Sequence, residues 1–370
     1  MKSILTQALA GGIVAAGLGA VVLIGQGADT VEAHRAAAKT AAGQEHLALL
    51  NTVCPPPRDP AAAPAAGAGR RGAGAAPTNT ADAVPGAATA AAPARGRQTA
   101  AGTPATQRQS PPREQWHAEP VKVFDNLYFV GQTEYSAWAV NTSDGIIVID
   151  TIFDYSVEDE VAGGLRKLGL DPGKIKYVIV SHGHGDHSGG AKYLQDTFGA
   201  RILLSAADWD LLDRSNGTKP KRDMVVADGQ KLTLGDTTLT MYLTPGHTPG
   251  TISTIIPVKD NGQSHVLAYP GGTAFNFTIT PDKPRAYWFA TYSASAERFR
   301  DAAVKAGADG IITNHTNYDG SKIKLPMLAT RKPGDPHPYL IGKDAVARYM
   351  TVQSECAKAG LLELNAQTPR

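Results

Sequence analysis

The sequence predicts one α+β domain in which two β-sheets lie between outer helices. From about Trp116 onward, short apolar segments rich in β-branched residues alternate with amphipathic segments, and strands outnumber helices. This mixed pattern favours two packed sheets with helices outside them. The chain has 370 residues, which is enough for one large domain or two ordinary ones.

The elements of this domain follow one another in a clear order. Aromatic and β-branched residues predict strands at 121–130 and 135–140, and apolar runs predict buried strands at 145–150 and 176–181. Similar segments predict strands at 200–205, 239–243, 252–256, 266–269 and 310–313. Amphipathic or alanine-rich patterns predict helices at 157–168, 191–195, 294–306 and 344–357.

The first residues of the chain have the pattern of an export signal. A short basic start precedes residues 4–25, which carry no charge, and small residues near Ala28 and Ala33 offer cleavage sites. The apolar stretch also approaches the ~20 residues that span a bilayer. Residues 1–30 are therefore predicted to be a signal peptide, or alternatively an uncleaved anchor. Either one would place the folded part in the periplasm or outside the cell.

Two segments separate this leader from the domain. Residues 31–54 are rich in alanine and are predicted to form an N-terminal helix that ends before the prolines at 55–57. Residues 55–113 consist mainly of Ala, Gly, Pro, Thr and Arg, so they cannot bury enough apolar surface to offset the entropy of ordering. They are predicted to be a disordered linker, and residues 114–366 are predicted to be the catalytic domain.

The chain has two cysteines, Cys54 and Cys356. A single pair in an exported protein can form a disulfide, which here would tie the leading helix to the last one. Two unrelated buried thiols are the alternative. Neither cysteine lies near a histidine cluster in sequence, so neither is expected to bind a metal.

Four potential metal ligands lie within six residues after the apolar segment 176–180. They are His182, His184, Asp186 and His187, with glycines between them that let the backbone bend. A lone histidine on an apolar face is usually a core residue. Three of the ten histidines crowded beside an aspartate are not expected from packing, so the run predicts a metal site.

Two further histidines follow predicted strands. His247 lies in Thr244-Pro-Gly-His-Thr-Pro-Gly250, and His315 follows the strand at 310–313. Loops at strand ends commonly carry functional residues. Surface or core roles are predicted for the remaining histidines, which are His34, His46, His117, His265 and His337.

The six grouped residues suit a pair of metal ions. Imidazole and carboxylate ligands favour zinc, with iron, manganese and nickel as alternatives. Six ligands are too many for one tetrahedral zinc with an open position, but they suit two zincs with three ligands each. The sequence therefore predicts Zn²⁺, two per chain, and hydrolysis as the chemistry.

These motifs together resemble the metallo-β-lactamase superfamily. The resemblance rests on the run from His182 to His187, on Gly246-His-Thr-Pro-Gly250 and on Asn314-His315, and it covers roughly residues 116–362. It implies a four-layer αββα sandwich with the metals at one edge. Val148-Ile-Asp150 is similar to the first motif of the superfamily, in which an aspartate supports the ligands from behind; a strand-end cap is the alternative for Asp150.

The resemblance also implies a role for each residue of the site. The first zinc would be bound by His182, His184 and His247, and the second by Asp186, His187 and His315. A hydroxide bridging the zincs would attack a carbonyl carbon. Asp186 would orient that hydroxide and help to move a proton, which makes it the predicted catalytic residue.

The segment after the strand at 266–269 narrows the resemblance to one branch. Most hydrolases of the superfamily have a metal-bridging aspartate there, but this chain has Pro270-Gly-Gly-Thr-Ala274, with Thr273 as the nearest counterpart and Asp282 expected in a surface turn. This absence is similar to the third subclass of metallo-β-lactamases, whose ligands are aspartate and histidines only. That subclass holds the substrate carboxylate with a serine-containing segment, and Gly271–Thr273 replaces it here.

The predicted function is an exported zinc-dependent hydrolase that opens a β-lactam or a similar cyclic amide or ester. A lactonase or thioesterase of the same superfamily is the alternative, followed by a zinc-binding protein without turnover. The predicted partner is a small-molecule substrate. The near balance of 36 basic and 34 acidic residues gives no electrostatic case for nucleic acid, or for a membrane beyond the N-terminal anchor. The sequence does not predict an oligomeric state.

Overall fold

A computed structural model describes residues 29–55 and 110–367 of the chain. Nearly all of the predicted signal peptide or anchor and most of the predicted linker lie outside these residues. Among the helices in the described ranges, none combines the length and the apolar character that crossing a membrane requires.

The first sheet has seven strands, which lie side by side in chain order. They are β1 (Val121–Lys122), β2 (Leu127–Phe129), β3 (Trp138–Thr142), β4 (Gly145–Ile149), β5 (Ile175–Ile179), β6 (Arg201–Ser205) and β7 (Met224–Val226). Strands β1 to β4 pair antiparallel, and β4 to β7 pair parallel. Because parallel strands point the same way, β4 and β5 end at the same edge of the sheet.

The second sheet has five strands. They are β8 (Lys231–Leu234), β9 (Thr237–Leu243), β10 (Ile252–Asp260), β11 (Gln263–Tyr269) and β12 (Gly310–Ile311), in the spatial order β12-β11-β10-β9-β8. All pairs are antiparallel except β11 with β12. The backbone N–H of Ile252 donates to the carbonyl of Ser181 at 2.8 Å, which joins the start of β10 to the loop after β5. The ends of the two sheets therefore meet.

Helices cover the outer faces of both sheets. They are α1 (Val31–Ala42), α2 (Leu47–Val53), α3 (Gly163–Lys167), α4 (Gly185–Ser188), α5 (Ala191–Phe198), α6 (Ala206–Arg214), α7 (Arg285–Ala306), α8 (Ser321–Thr330) and α9 (Lys343–Gln367). A π-helical turn, Glu158–Ala162, leads into α3.

The buried side chains form three layers of core, as a four-layer sandwich requires. In β4, Ile147 and Ile149 face the core between the two sheets, whereas Ile146 and Val148 face the helices on the other side. This alternation follows from the two-residue repeat of a strand. A third cluster lies between the second sheet and helices α1, α2, α7 and α9. The predicted αββα architecture is confirmed.

The N-terminal helical segment packs directly on the sandwich. Instead of one helix over 31–54 there are two, separated at Gly43, whose φ of 52° lies in the left-handed region that favours glycine. Leu49 of α2 is fully buried beside Tyr349 of α9. A disulfide joins Cys54 to Cys356, so the predicted bridge between the leading helix and the last one is confirmed.

Other elements also differ from the sequence-based expectation, since α4, α6, β7 and β8 were not predicted. The predicted strand 121–130 is a hairpin, in which β1 pairs with β2 and the chain turns through Asp125 and Asn126. Both residue types favour turns because their side chains bond the nearby backbone. Helix α8 was not predicted, and it contains Pro326.

Candidate metal centre

All six predicted ligands lie at the edge where the two sheets meet. The loop after β5 carries His182 and His184 and leads into α4, whose first turn carries Asp186 and His187. The loop after β9 carries His247, and His315 follows β12. Three segments that are far apart in sequence therefore converge on one place, where a rigid double sheet can hold them together.

The first three histidines form one compact group. His182 Nε2 lies 3.1 Å from His247 Nε2, and His184 Nδ1 lies 3.1 Å from the same atom. His182 and His247 are buried and His184 is half-buried. The three donor atoms lie within 4.8 Å of one another, as a shared metal ion requires.

The other three predicted ligands form a second group. His187 Nε2 lies 3.2 Å from Asp186 Oδ2 and 3.3 Å from His315 Nε2. His315 Nε2 lies 3.6 Å from Asp186 Oδ2. Ligand atoms of His182, Asp186 and His187 also lie within 4.8 Å of one another, so the two groups adjoin at His182.

The spacing of these atoms fits a tetrahedral metal such as zinc. Two nitrogens bound to one zinc at about 2.0–2.1 Å in tetrahedral geometry are about 3.3 Å apart. The three nitrogen pairs within the groups measure 3.1, 3.1 and 3.3 Å. Both groups are thus the right size to hold a small divalent cation.

The hydrogen bonds of the outer ring atoms point to the same conclusion. His182 Nδ1 donates to the carbonyl of Gly271 at 2.8 Å, and His247 Nδ1 donates to the carbonyl of Ala274 at 2.5 Å. Each ring therefore has its proton on Nδ1, which leaves two Nε2 lone pairs facing each other. Such an arrangement is repulsive unless a cation lies between the two nitrogens. Donation from the outer nitrogen to a carbonyl is also the usual support of a metal-binding histidine.

Burial keeps most of these histidines neutral. It lowers the pKa of His247 to about 3 and that of His315 to about 3, with further lowering by neighbouring imidazoles. Burial lowers the pKa of His182 well below its ordinary value. Neutral imidazole is the form that binds metals.

Asp186 and His187 are coupled to each other. Burial would raise the pKa of Asp186, but His187 and His315 outweigh it and hold that pKa well below the usual range. Burial opposes the charge of His187, while Asp186 and Asp150 raise its pKa to about 10. The carboxylates thus attract positive charge to the position of the second group, and a bound cation would take the place of the proton.

Asp150 supports the ligands from behind, at the end of β4. Its Oδ1 accepts from the backbone N–H of Ser181 at 2.7 Å, and its Oδ2 accepts from the Ser181 hydroxyl at 2.8 Å and from the Tyr269 hydroxyl at 2.5 Å. His187 Nδ1 lies 3.0 Å from the same Oδ2. The backbone at Asp150 has a φ of 59°, which aims the carboxylate away from the strand and into these contacts. It is therefore more than a strand-end cap.

Asp208 is a buried acid that sequence reasoning missed. It lies in the first turn of α6, and it accepts hydrogen bonds from the loop of His182 and from the loop of His247. Burial raises its pKa to about 6 against the opposing effect of these bonds. The only local signal is a polar side chain after an apolar strand, which also describes an ordinary helix start.

The glycines after β11 have a structural reason that the sequence did not show. A Cβ at Gly272 would meet the Cβ of His247 at 2.5 Å, and one at Gly271 would meet the carbonyl oxygen of Ile252 at 1.8 Å. Thr273 is buried beside Tyr349. The loop therefore presents backbone to the site, and Asp282 lies exposed in a turn, as expected.

Aromatic side chains line the His315 side of the site. The rings of Tyr135 and Tyr318 each lie 5.1 Å from that of His315, and Phe153 packs edge-on against Tyr135 at 5.0 Å. Burial raises the pKa of Tyr135 to about 12, and the charge of Asp186 adds to the shift. Tyr135 and Phe153 are half-buried and uncharged, and we call this pair the aromatic wall; Phe153 is its apolar side.

Comparison with known proteins agrees with this geometry. The family model of the metallo-beta-lactamase superfamily matches residues 130–260. Among solved structures, a subclass B3 metallo-beta-lactamase of Bradyrhizobium japonicum is 28% identical, with a TM-score of 0.57 over 67% of this chain and 96% of that one. A metallo-beta-lactamase from Legionella gormanii shares the fold at 22% identity, with a TM-score of 0.59 over 67% of this chain and 97% of that one.

Curated relatives match shorter stretches. A hydroxyacylglutathione hydrolase of Acidiphilium cryptum is 35% identical over 94 residues, which are 25% of this chain and 36% of the relative. A probable metallo-hydrolase of Bacillus subtilis is 28% identical over 123 residues, which are 30% of this chain and 52% of the relative. The chain thus spans only about a third to a half of the length of these relatives.

Proposed function

Because residues 130–260 match the family model of the metallo-beta-lactamase superfamily, we propose that the chain is an exported hydrolase that holds two zinc ions and opens a β-lactam or a similar cyclic amide or ester. The observation that carries the proposal is the pair of adjoining donor groups, with nitrogens 3.1–3.3 Å apart. Bound zinc would supply a water acidic enough to attack at neutral pH, and it would polarise the carbonyl.

The side chains of the site have distinct tasks in this reaction. His182, His184 and His247 would hold one ion, and Asp186, His187 and His315 would hold the other. Asp186 is ionised, since its pKa is held well below the usual range, so its carboxylate can accept a hydrogen bond from the attacking water and orient it. Asp150 keeps the proton of His187 on Nδ1, which leaves Nε2 free to bind.

The aromatic wall beside His315 bears on the kind of substrate. Tyr135 and Phe153 offer an apolar surface next to the site, which suits a ring or acyl group attached to the reacting carbonyl. The loop after β11 has glycine at Gly271 and Gly272, where a Cβ would strike Ile252 and His247, so it offers no polar side chain there to bind a substrate. We therefore propose a substrate that is bound mainly through its apolar part.

Export is proposed on two grounds. The first residues have the pattern of a signal peptide or an anchor. The Cys54–Cys356 disulfide suits an oxidising compartment such as the periplasm. Recovery of active, oxidised protein from the periplasmic fraction of an expressing cell checks this part, and its retention in the cytoplasm would contradict it.

A metal titration combined with a substrate panel tests the enzymatic part. Purified protein should hold about two zinc ions, and the His247→Ala variant about one, because that residue belongs to one group only. His265→Ala is the matched control, since His265 pairs with Asp309 at the far end of β11. Equal zinc content in the wild type and the His247→Ala variant would remove His247 from the site.

The panel decides between the two candidate substrate classes. It contains a penicillin, a cephalosporin, a carbapenem, a lactone and a thioester, each with and without a chelator. A lactonase or thioesterase is the second candidate, favoured by the match to a protein named as a hydroxyacylglutathione hydrolase. Zinc binding with no chelator-sensitive turnover of any substrate would instead favour a zinc-binding protein.

A further inference from the structure

Asp208 is a fully buried carboxylate that the proposed reaction does not use. We propose that it is a positioning residue, which sets the spacing of His182, His184 and His247 by holding their two loops together. This inference rests on the proposed function, because spacing matters only if the three histidines share a metal ion.

The contacts of Asp208 reach both loops at once. Its Oδ2 accepts from the backbone N–H of Gly183 at 2.9 Å and from the hydroxyl of Thr248 at 2.7 Å. Its Oδ1 accepts from the backbone N–H of Gly250 at 2.8 Å. Gly183 lies between His182 and His184, and Thr248 follows His247. One side chain therefore fixes the backbone next to all three histidines.

Asp208 is itself held in place. Its backbone N–H donates to the hydroxyl of Ser205, the residue that caps α6, at 3.2 Å. The next residue, Trp209, is buried and donates from its ring to the carbonyl of Met224 at 2.9 Å. The carboxylate is thus anchored to a strand and a helix rather than to a mobile loop.

The loop of His247 packs closely against Asp208. A Cβ at Gly250 would meet Asp208 Oδ1 at 2.8 Å and the hydroxyl oxygen of Ser205 at 1.9 Å. The close approach of this loop therefore depends on glycine. A buried carboxylate is costly unless hydrogen bonds compensate it, and the contacts recorded for Asp208 within the described ranges are with neutral donors, not with lysine or arginine. Helix capping alone does not require such a group, since Ser205 already supplies the cap.

The exchange of Asp208 for asparagine breaks this arrangement with almost no change of shape. Three donors point at the two carboxylate oxygens. In Asp208→Asn, one of those oxygens becomes an NH₂ group that faces an N–H or O–H donor, whichever way the amide is turned. At least one loop therefore loses its hydrogen bond and shifts. Loss of a group that orients metal ligands typically lowers metal affinity about 10–100-fold.

The test is a competition titration of the full chain with Zn²⁺ and a chromophoric chelator, which resolves two affinities. Asp223→Asn is the control, because Asp223 also accepts from a backbone N–H, that of Ile202 at 3.0 Å, but lies between β6 and β7 and pairs with Arg201. We expect Asp208→Asn to bind one Zn²⁺ with wild-type affinity and the other about 10–100-fold more weakly. The control should bind both ions like the wild type.

A milder variant covers the case in which Asp208→Asn does not fold. Thr248→Val keeps the shape of that buried side chain and removes its bond to Asp208, together with the bond between the hydroxyls of Thr248 and Thr251 at 2.8 Å. It should weaken the same Zn²⁺ affinity by a smaller factor, and combined with Asp208→Asn it should add less than its separate effect. The absorption spectrum of the Co²⁺-substituted protein should change in both variants, whereas a loss of stability alone would leave that spectrum unchanged.

The outcomes separate this inference from the proposed function. Two Zn²⁺ affinities in Asp208→Asn equal to those of the wild type would overturn the inference alone. Equal weakening of both affinities, with a lower unfolding midpoint, would overturn it too, because it would show a general structural role. A wild-type chain that binds no Zn²⁺ would overturn the proposed function and this inference with it.

Discussion

Replacing Tyr269 by phenylalanine should weaken metal binding, although Tyr269 itself touches none of the predicted metal ligands. Tyr269 is buried at the end of β11, and its hydroxyl donates to Asp150 Oδ2 at 2.5 Å. The same oxygen lies 3.0 Å from His187 Nδ1. The tyrosine therefore helps to hold the carboxylate that orients His187.

The expected size of the effect follows from these contacts. A hydrogen bond to a charged group contributes about 1.5–3 kcal/mol. Because Asp150 keeps its two bonds from Ser181, we expect Tyr269→Phe to lower the free energy of unfolding by about 1.5 kcal/mol, near the lower figure. Without the bond from Tyr269, the Asp150 carboxylate is held less firmly and orients His187 less well. The affinity for the ion bound by His187 should therefore fall about tenfold, or by about 1.4 kcal/mol. Affinity for the ion bound by His182, His184 and His247 should stay unchanged.

The assay is chelator competition with Zn²⁺, paired with denaturant unfolding of the metal-free protein. Tyr339→Phe is the control, since Tyr339 is equally buried and donates its hydroxyl to Ser321 at 2.8 Å, away from the ligands. Both variants should lose stability, but only Tyr269→Phe should lose metal affinity. Two unchanged affinities in Tyr269→Phe would refute the link from Tyr269 through Asp150 to His187.

Two further predictions concern the N-terminal helices. The pair Cys54→Ser and Cys356→Ser opens a loop of 302 residues, and the chain-entropy relation gives a loss of about 5–6 kcal/mol in the free energy of unfolding; an unchanged denaturation midpoint would show that the helices dock without the bridge. His46 is buried and lies 2.7 Å from the carbonyl of Ala345, and burial lowers its pKa, so the unfolded state binds more protons below about pH 6.5. The stability it contributes is complete above that pH and is lost as the pH falls. Hydrogen exchange of α2, corrected for the pH dependence of the intrinsic rate, should therefore show less protection at pH 5.5 than at neutral pH, and this loss should be smaller in His46→Gln.

The six predicted ligands could be found from sequence because each has a local signal. His182 to His187 are crowded in one run, and His247 and His315 each follow an apolar strand. Strand ends of a double sheet meet at one edge, so separate local signals add up to a single place. The structure brings the six donor atoms together there, while their binding of zinc stays a prediction.

Other parts of the fold depend on contacts that leave no local pattern. Asp208 acts through backbone groups of two distant loops, Gly183 and Gly250, which no spacing in its own segment reveals. Helix α8 contains Pro326, a residue that argues against a helix interior. It forms nevertheless because Leu325 and Leu328 pack against the core between the sheets. Tertiary packing here outweighs the local preference.

The glycines after β11 connect the site to the question of the substrate. The resemblance to the superfamily implies an aspartate or a serine-containing segment after this strand, and Thr273 is its nearest counterpart in this chain. A side chain at the neighbouring Gly272 would strike the imidazole of His247. A side chain therefore cannot be added at Gly272 without displacing a predicted metal ligand, and the side chain of Thr273 is buried beside Tyr349. We expect recognition of the substrate to come from other surfaces, such as the aromatic wall at Tyr135 and Phe153 beside His315. Two substrates that differ only in a carboxylate should accordingly be hydrolysed at similar rates, whereas a change in the apolar group should alter KM.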